Sequence, residues 1–147
     1  MYKEKKMVVD SKTGEIESEY MLVAMKRHNG FQGGWLAMSQ NALKKMSNEI
    51  DRLEDFRVLM VLLSILDFDN YIMTRQSEIA ESLGMDKSQV SRAIKRLVDK
   101  EILVKGPRIG RSWTYRLNPR YGWKGSAKGH HKALQEAAER WGDVEVV

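Results

Sequence analysis

Thr74-Arg75-Gln76-Ser77-Glu78-Ile79-Ala80-Glu81-Ser82-Leu83-Gly84-Met85-Asp86-Lys87-Ser88-Gln89-Val90-Ser91-Arg92-Ala93-Ile94-Lys95-Arg96-Leu97 is the stretch on which the architecture turns. It reads as two short helices joined by a tight turn. Thr74 has the chemistry of an N-cap, with Ser77 and Glu78 in the first turn. Ile79, Ala80 and Leu83 form the first helix's apolar face, and Gly84 stops it by adopting the left-handed conformation at little cost. Asp86 then caps a second helix, over about residues 86–99, with Gln89 at capping-box spacing. Val90, Ala93, Ile94 and Leu97 share one side of that helix. On a helical wheel Ser88 and Arg92 lie nearly opposite, flanked by Gln89, Lys95 and Arg96.

Downstream the apolar period shortens from that of a helix to that of a strand. Ile102-Leu103-Val104 reads as one strand, Gly106 to Arg111 as a turn, and Ser112 to Leu117 as a second strand. In the second strand Trp113, Tyr115 and Leu117 share a face, with Thr114 and Arg116 on the other. Asn118-Pro119 breaks it. A last helix, from about His130 to Trp141, follows a glycine-punctuated loop. Upstream, Leu53, Phe56, Leu59, Met60, Leu63 and Leu66 recur at spacings of three and four, predicting a helix over about 52–66. Val58, Val61, Leu62 and Ile65 make it apolar on further faces, as expected of a central helix covered on several sides. Ser39 suits the cap of a shorter helix reaching about Met46. Residues 1–34 read as a β-rich lead-in, with turn chemistry at Asp10 to Gly14 between Met7-Val8-Val9 and Glu15-Ile16, and a second apolar run at Tyr20 to Met25.

The charge is uneven. Ten basic residues between Asp86 and Arg120 face three acidic ones, a local excess of +7 in a chain of net charge +5. A basic segment on a near-neutral body is the electrostatic footprint of a polyanion binder. Helix, turn, helix and two-stranded hairpin together have the layout of a winged helix-turn-helix, so the expected class is α+β, mainly α, with that domain over 35–125, the lead-in before it and a C-terminal helix and tail over 126–147. In such a domain the second short helix buries one face and offers the other to the major groove of duplex DNA. The base-reading set expected on that helix is Ser88, Gln89, Arg92, Lys95 and Arg96. The set expected at phosphates and on the wing is Thr74, Lys87, Ser91, Lys105, Arg108, Arg111 and Arg116.

Other chemistries lack their parts. The 147 residues contain no cysteine, which excludes disulfides, thiolate metal sites and cysteine nucleophiles. Adjacent His130 and His131 point to different sides of a helix, where a metal pair needs i, i+4 spacing. Gly106 to Ser112 has neither the spacing nor the lysine of a phosphate-binding loop. Asp67 and Asp69 begin like a calcium loop, but Ile72 stands where glycine is required. Tyr71, Tyr115 and Tyr121 read as packing residues, and no cofactor, metal or enzymatic activity is expected. The longest apolar stretch, Val58 to Leu66, is too short for a bilayer span of about 20 residues. With no signal-peptide pattern at the start, the expected location is cytoplasmic.

The pattern from Gln76 to Leu97 resembles the helix-turn-helix of Crp-like and MarR-like regulators. A broader resemblance, over about Trp35 to Gly125, is to RepL-type plasmid replication proteins. It rests on Leu66-Asp67-Phe68-Asp69-Asn70-Tyr71-Ile72 and on Tyr115-Arg116-Leu117-Asn118-Pro119-Arg120-Tyr121-Gly122-Trp123-Lys124-Gly125. Rolling-circle initiators and relaxases, by contrast, carry a His-hydrophobe-His triad that is missing here. The RepL resemblance implies an initiator that binds its origin in duplex DNA and recruits host replication proteins. The alternatives are a winged-helix transcriptional repressor and a winged-helix protein-interaction module. The oligomeric state is left open by the sequence, a homodimer reading two half-sites being the common solution for helix-turn-helix proteins.

Overall fold

The computed structural model describes residues 2–9, 12–14, 16–24 and 34–141. The chain divides into two compact units, Met1–Gly34 and Trp35–Val147. In the first, β1 (Tyr2–Val9) pairs antiparallel with β2 (Ile16–Ala24), setting Tyr2 opposite Ala24 and Val8 opposite Ser18. Both strands run longer than the apolar residues alone indicate. Asp10, Ser11, Glu15, Met25, Asn29-Gly30 and Gly33 lie outside the described residues.

The second unit begins with β3 (Ala37–Met38) and α1 (Gln40–Glu49), whose Ser39 cap accepts the Ala42 N–H at 3.3 Å. The helix runs a turn beyond Met46. Next comes α2 (Leu53–Ser64), the helix against which α4 (Lys87–Asp99) packs. The buried face of α2 is Asp55, Val58, Leu59 and Leu62, continuing to Leu66. That differs from the expected stripe: Leu53, Phe56 and Met60 are exposed, at 73%, 47% and 39%. A helix apolar nearly all round carries no angular information about which side is covered, and the packing of α4 decides it.

Between α2 and α4 lie β4 (Tyr71–Ile72) and α3 (Gln76–Leu83). Gly84 ends α3 at φ 62, the left-handed region expected of it. The start of α3 differs from expectation. Arg75, not Thr74, is the N-cap residue. The Glu78 carboxylate reaches back to accept the Arg75 N–H at 3.3 Å and the Thr74 hydroxyl at 2.6 Å. Those bonds, the Thr74 hydroxyl first, hold the Glu78 carboxyl below the usual carboxylate range. The core joins Val58, Leu59 and Leu62 of α2, Ile79 and Ala80 of α3, and Val90, Ala93, Ile94 and Leu97 of α4.

The wing is a three-stranded antiparallel sheet in the order β4-β6-β5, with β5 at Leu103–Ile109 and β6 at Ser112–Leu117. The expected turn at Gly106 to Arg111 is shorter than the sequence indicates. β5 continues through Gly106-Pro107 with a register irregularity between Lys105 and Arg108, and the chain reverses only between Ile109 and Ser112. Gly106 lets β5 press against β6, since a Cβ there would fall 2.5 Å from Thr114 Oγ1. Beyond the wing, β7 (Gly122–Trp123) pairs with β3, and α5 (Ala127–Trp141) packs back through Ala133 and Ala137. It starts three residues ahead of His130, where the Ser126 hydroxyl accepts the Gly129 N–H at 3.1 Å, and Trp123 stacks on His130 with ring centroids 5.2 Å apart.

Asn70 ties these pieces together. Fully buried, it donates through Nδ2 to the Leu117 and Gly122 carbonyls at 3.1 and 2.8 Å, and accepts the Lys124 N–H at 2.9 Å. The neighbouring Asp69 N–H donates to the Lys124 carbonyl at 2.7 Å. Asn118, also buried, bridges to Glu101 and Arg120. Tyr121 is wholly buried, and burial pushes its phenol up from the ordinary value. Half-buried Tyr115 is raised for the same reason. Tyr71 is not a core residue: it is 44% exposed, with the Arg116 guanidinium 4.7 Å from its ring centroid. No helix among the described residues is long and apolar enough to cross a membrane.

Candidate nucleic-acid interface

The surface of α4 is set by its capping. Asp86 takes extended geometry, and its N–H donates to Gln89 Oε1 at 2.9 Å, so the reciprocal half of the capping box is present. Val90, Ala93, Ile94 and Leu97 are all buried, which fixes the rotation of the helix about its axis. Ser88, Arg92 and Lys95 are consequently exposed, and Gln89 is half-buried with its oxygen engaged in the cap. Lys87, Ser91 and Lys95, four residues apart in succession, form an adjacent polar stripe.

That second stripe borders a cleft of about 650 Å³ between α4, the start of α3 and the inner face of the wing. Its floor is apolar, with Ile79, Ile94, Val98, Leu103 and Tyr115. Its rim is basic: Lys87 and Lys95 from α4, Arg75 at the head of α3, and Lys105 and Arg111 from the wing, with Thr74 and Ser91 between. Trp113, 45% exposed, forms part of the wing's wall. Lys105 Nζ sits 3.8 Å from its ring centroid and the Arg108 guanidinium 5.8 Å, so the indole face holds both cations near the wing's inner surface. Arg75 and Trp113 are members of this surface that the sequence reading did not select. For Arg75 the available signal was its place directly before the first helical residue; for Trp113, its alternation with Tyr115.

Two expected members are committed elsewhere. Arg96 does not join the outward set. Its Nε donates to Asp55 at 3.1 and 2.8 Å, and its NH2 to Asp55 Oδ1 at 2.7 Å and Glu54 Oε1 at 2.9 Å. The Asp55 carboxylate raises the already high guanidinium pKa. Arg96 stands at the margin of the buried stripe, and the head of α2 places two carboxylates beside it. Arg116 faces away from the cleft, stacking on Tyr71 and donating from Nε to the Asp69 carbonyl at 3.0 Å. Lys100 likewise turns inward, to the Glu49 carbonyl at 2.6 Å and Asp51 at 3.6 Å. The basic excess of the segment therefore splits. One part braces α4 against α2, and the part formed by Lys87, Arg92, Lys95, Lys105, Arg108 and Arg111 stays on the exposed helix face and wing.

A helix buried along one face, a capped turn, an exposed polar helix face and the basic β5–β6 hairpin follow one another in the order of a winged helix-turn-helix. Residues 50–111 match the MarR family. The match covers less than half of the chain, from just before α2 to the tip of the wing, and so takes in α3, α4 and β5. It ends before residues 115–125, one of the two segments that carry the resemblance to plasmid replication proteins. No curated protein matches the chain. Within the two segments that carry that resemblance, Asn70 and Asn118 make the buried hydrogen bonds at the base of the wing.

Proposed function

We propose that this chain is a transcription regulator that binds duplex DNA and represses by occupying its site. The observation that carries the reading is the pairing of two features across one cleft. The exposed Ser88–Arg92 face of α4 adjoins the Lys87, Ser91, Lys95 stripe, and that stripe looks across the cleft to a basic wing carrying Trp113. A helix of 13 residues, about 20 Å long, fits the major groove, and the cleft beside it then straddles a phosphate backbone. Lys87, Lys95, Lys105 and Arg111 neutralise that backbone; Arg92, with Ser88 and Gln89 at the helix start, reaches base edges. The MarR match supports this over a replication role. Two copies reading two half-sites is the assembly such a domain favours.

Arg92→Ala is expected to lower affinity for the cognate site by about 1–3 kcal/mol while leaving affinity for unrelated duplex little changed, as read by fluorescence anisotropy. If the domain were instead a protein-docking module, Arg92→Ala would leave DNA retention as it was. Arg108→Ala is expected to weaken every duplex alike and to reduce the slope of log K against log salt by roughly 0.9. An unchanged slope would remove Arg108 from the phosphate set.

The reading of the chain as a plasmid replication initiator, with host replication proteins as partners, rests on the resemblance alone. Deleting the coding region from its replicon separates the two. Loss of the replicon supports initiation, whereas survival with raised transcription from an adjacent promoter supports repression.

A further inference from the structure

The far end of the wing reads Arg108-Ile109-Gly110-Arg111. Ile109 pairs with Ser112 across the reversal, and Gly110, at φ 62, supplies the left-handed residue that so tight a turn needs. Register places Arg108 opposite Trp113, so by strand alternation Ile109 leaves the face that Arg108 and Trp113 share. Ile109 is 69% exposed. A lone apolar side chain on a surface is ordinary. This one stands at the tip of a basic hairpin with an arginine on each side, so it goes wherever those cations are drawn. A cationic tip beside a helix seated in the major groove is drawn to the negative potential of the neighbouring minor groove. There, an apolar side chain can leave water by entering between base pairs.

We propose that Ile109 is a wedge that enters the minor groove and partly opens one base step, bending the duplex. The inference rests on the reading of this domain as a duplex-DNA binder. It adds a sequence preference at a position that no side chain reads by hydrogen bonding. Pyrimidine–purine steps unstack most readily, so a T-A or C-A step beneath the wing is favoured over a stiff A-tract.

The test uses the full chain and an alternating A·T duplex of roughly 30 base pairs, long enough to be held and bent, carrying one 2-aminopurine beside a T-A step. Anisotropy reads binding, and 2-aminopurine emission reads unstacking. The intact chain is expected to raise emission about two-fold or more as it binds, the response of a base released from its neighbours. Ile109→Ala is expected to bind within about three-fold of the parent affinity with no rise in emission, since the phosphate contacts supply most non-specific affinity. Ile109→Leu is expected to keep the rise. Because the side chain is exposed, neither substitution disturbs the core. Binding without any rise by the intact chain, or an undiminished rise with Ile109→Ala, overturns the wedge while leaving duplex binding intact. Failure of the intact chain to bind this duplex at low salt overturns the underlying reading, and the wedge with it.

Discussion

Replacing Arg96 with methionine is expected to lower the free energy of unfolding by about 2–3 kcal/mol, below the cost of breaking a fully buried ion pair because the Arg96 side chain is 25% exposed while Asp55 is wholly buried. The reason lies in Asp55. Its side chain is wholly buried, and Arg96 supplies donors to both carboxylate oxygens, reaching 2.7 Å at the shortest. Methionine keeps much of the stem that packs along α2 but offers no donor, so a buried carboxylate is left without its compensating charge. The double replacement Asp55→Leu with Arg96→Met recovers most of the loss, because an apolar pair of similar volume needs no compensation. Urea denaturation of the two single variants and the double variant measures both claims. A loss below about 1 kcal/mol for Arg96→Met, with affinity for DNA sharply reduced, would return Arg96 to the base-reading face. The same pair gives α4 its seat. The polar face of that helix is useful to a duplex only if its rotation is held, and the Arg96–Asp55 contact stands beside the apolar stripe that holds it.

Asn70→Ala is expected to cost about 3 kcal/mol or more in unfolding free energy. Three hydrogen bonds are lost at a buried site, those to the carbonyls of Leu117 and Gly122 and from the N–H of Lys124. A second cost is conformational. Asn70 has φ 64, a region in which asparagine is at home and alanine is not. Asn70→Gly separates the two contributions, relieving the backbone cost of about 1 kcal/mol while leaving the hydrogen bonds broken. If Asn70→Ala and the parent unfold at the same urea concentration, the closure of the wing's base lies elsewhere.

The helix-turn-helix was legible apart from its first cap, where Arg75 stands in place of Thr74. Gly84, the Asp86–Gln89 cap and the Val90, Ala93, Ile94, Leu97 stripe appear in the structure as the spacing predicts. These are local signals: a cap bond spans three residues, and an amphipathic stripe states its own orientation. The α2 helix was legible as a helix but not in its rotation. Apolar residues on nearly every side leave the period without a direction, and of the expected stripe Leu59 and Leu66 are buried while Leu53, Phe56 and Met60 are exposed. The site shows the same division. Ser88, Arg92 and Lys95 lie opposite the buried stripe and are exposed as the wheel requires. Arg96, at the stripe's edge, is decided by what stands across from it, and no pattern within α4 reports Asp55.

Local chemistry along the chain was enough to specify two capped helices, a basic hairpin after them, and which side of α4 is oily, because propensity, capping and periodicity act over a few residues. Folding in three dimensions decided which cations stay at the surface and which are drawn inward. Arg96 meets Asp55 across 41 positions of sequence and Arg116 meets Asp69 across 47. Such pairings follow from packing geometry and the cost of burying a charge alone, and neither is written in the spacing of neighbours.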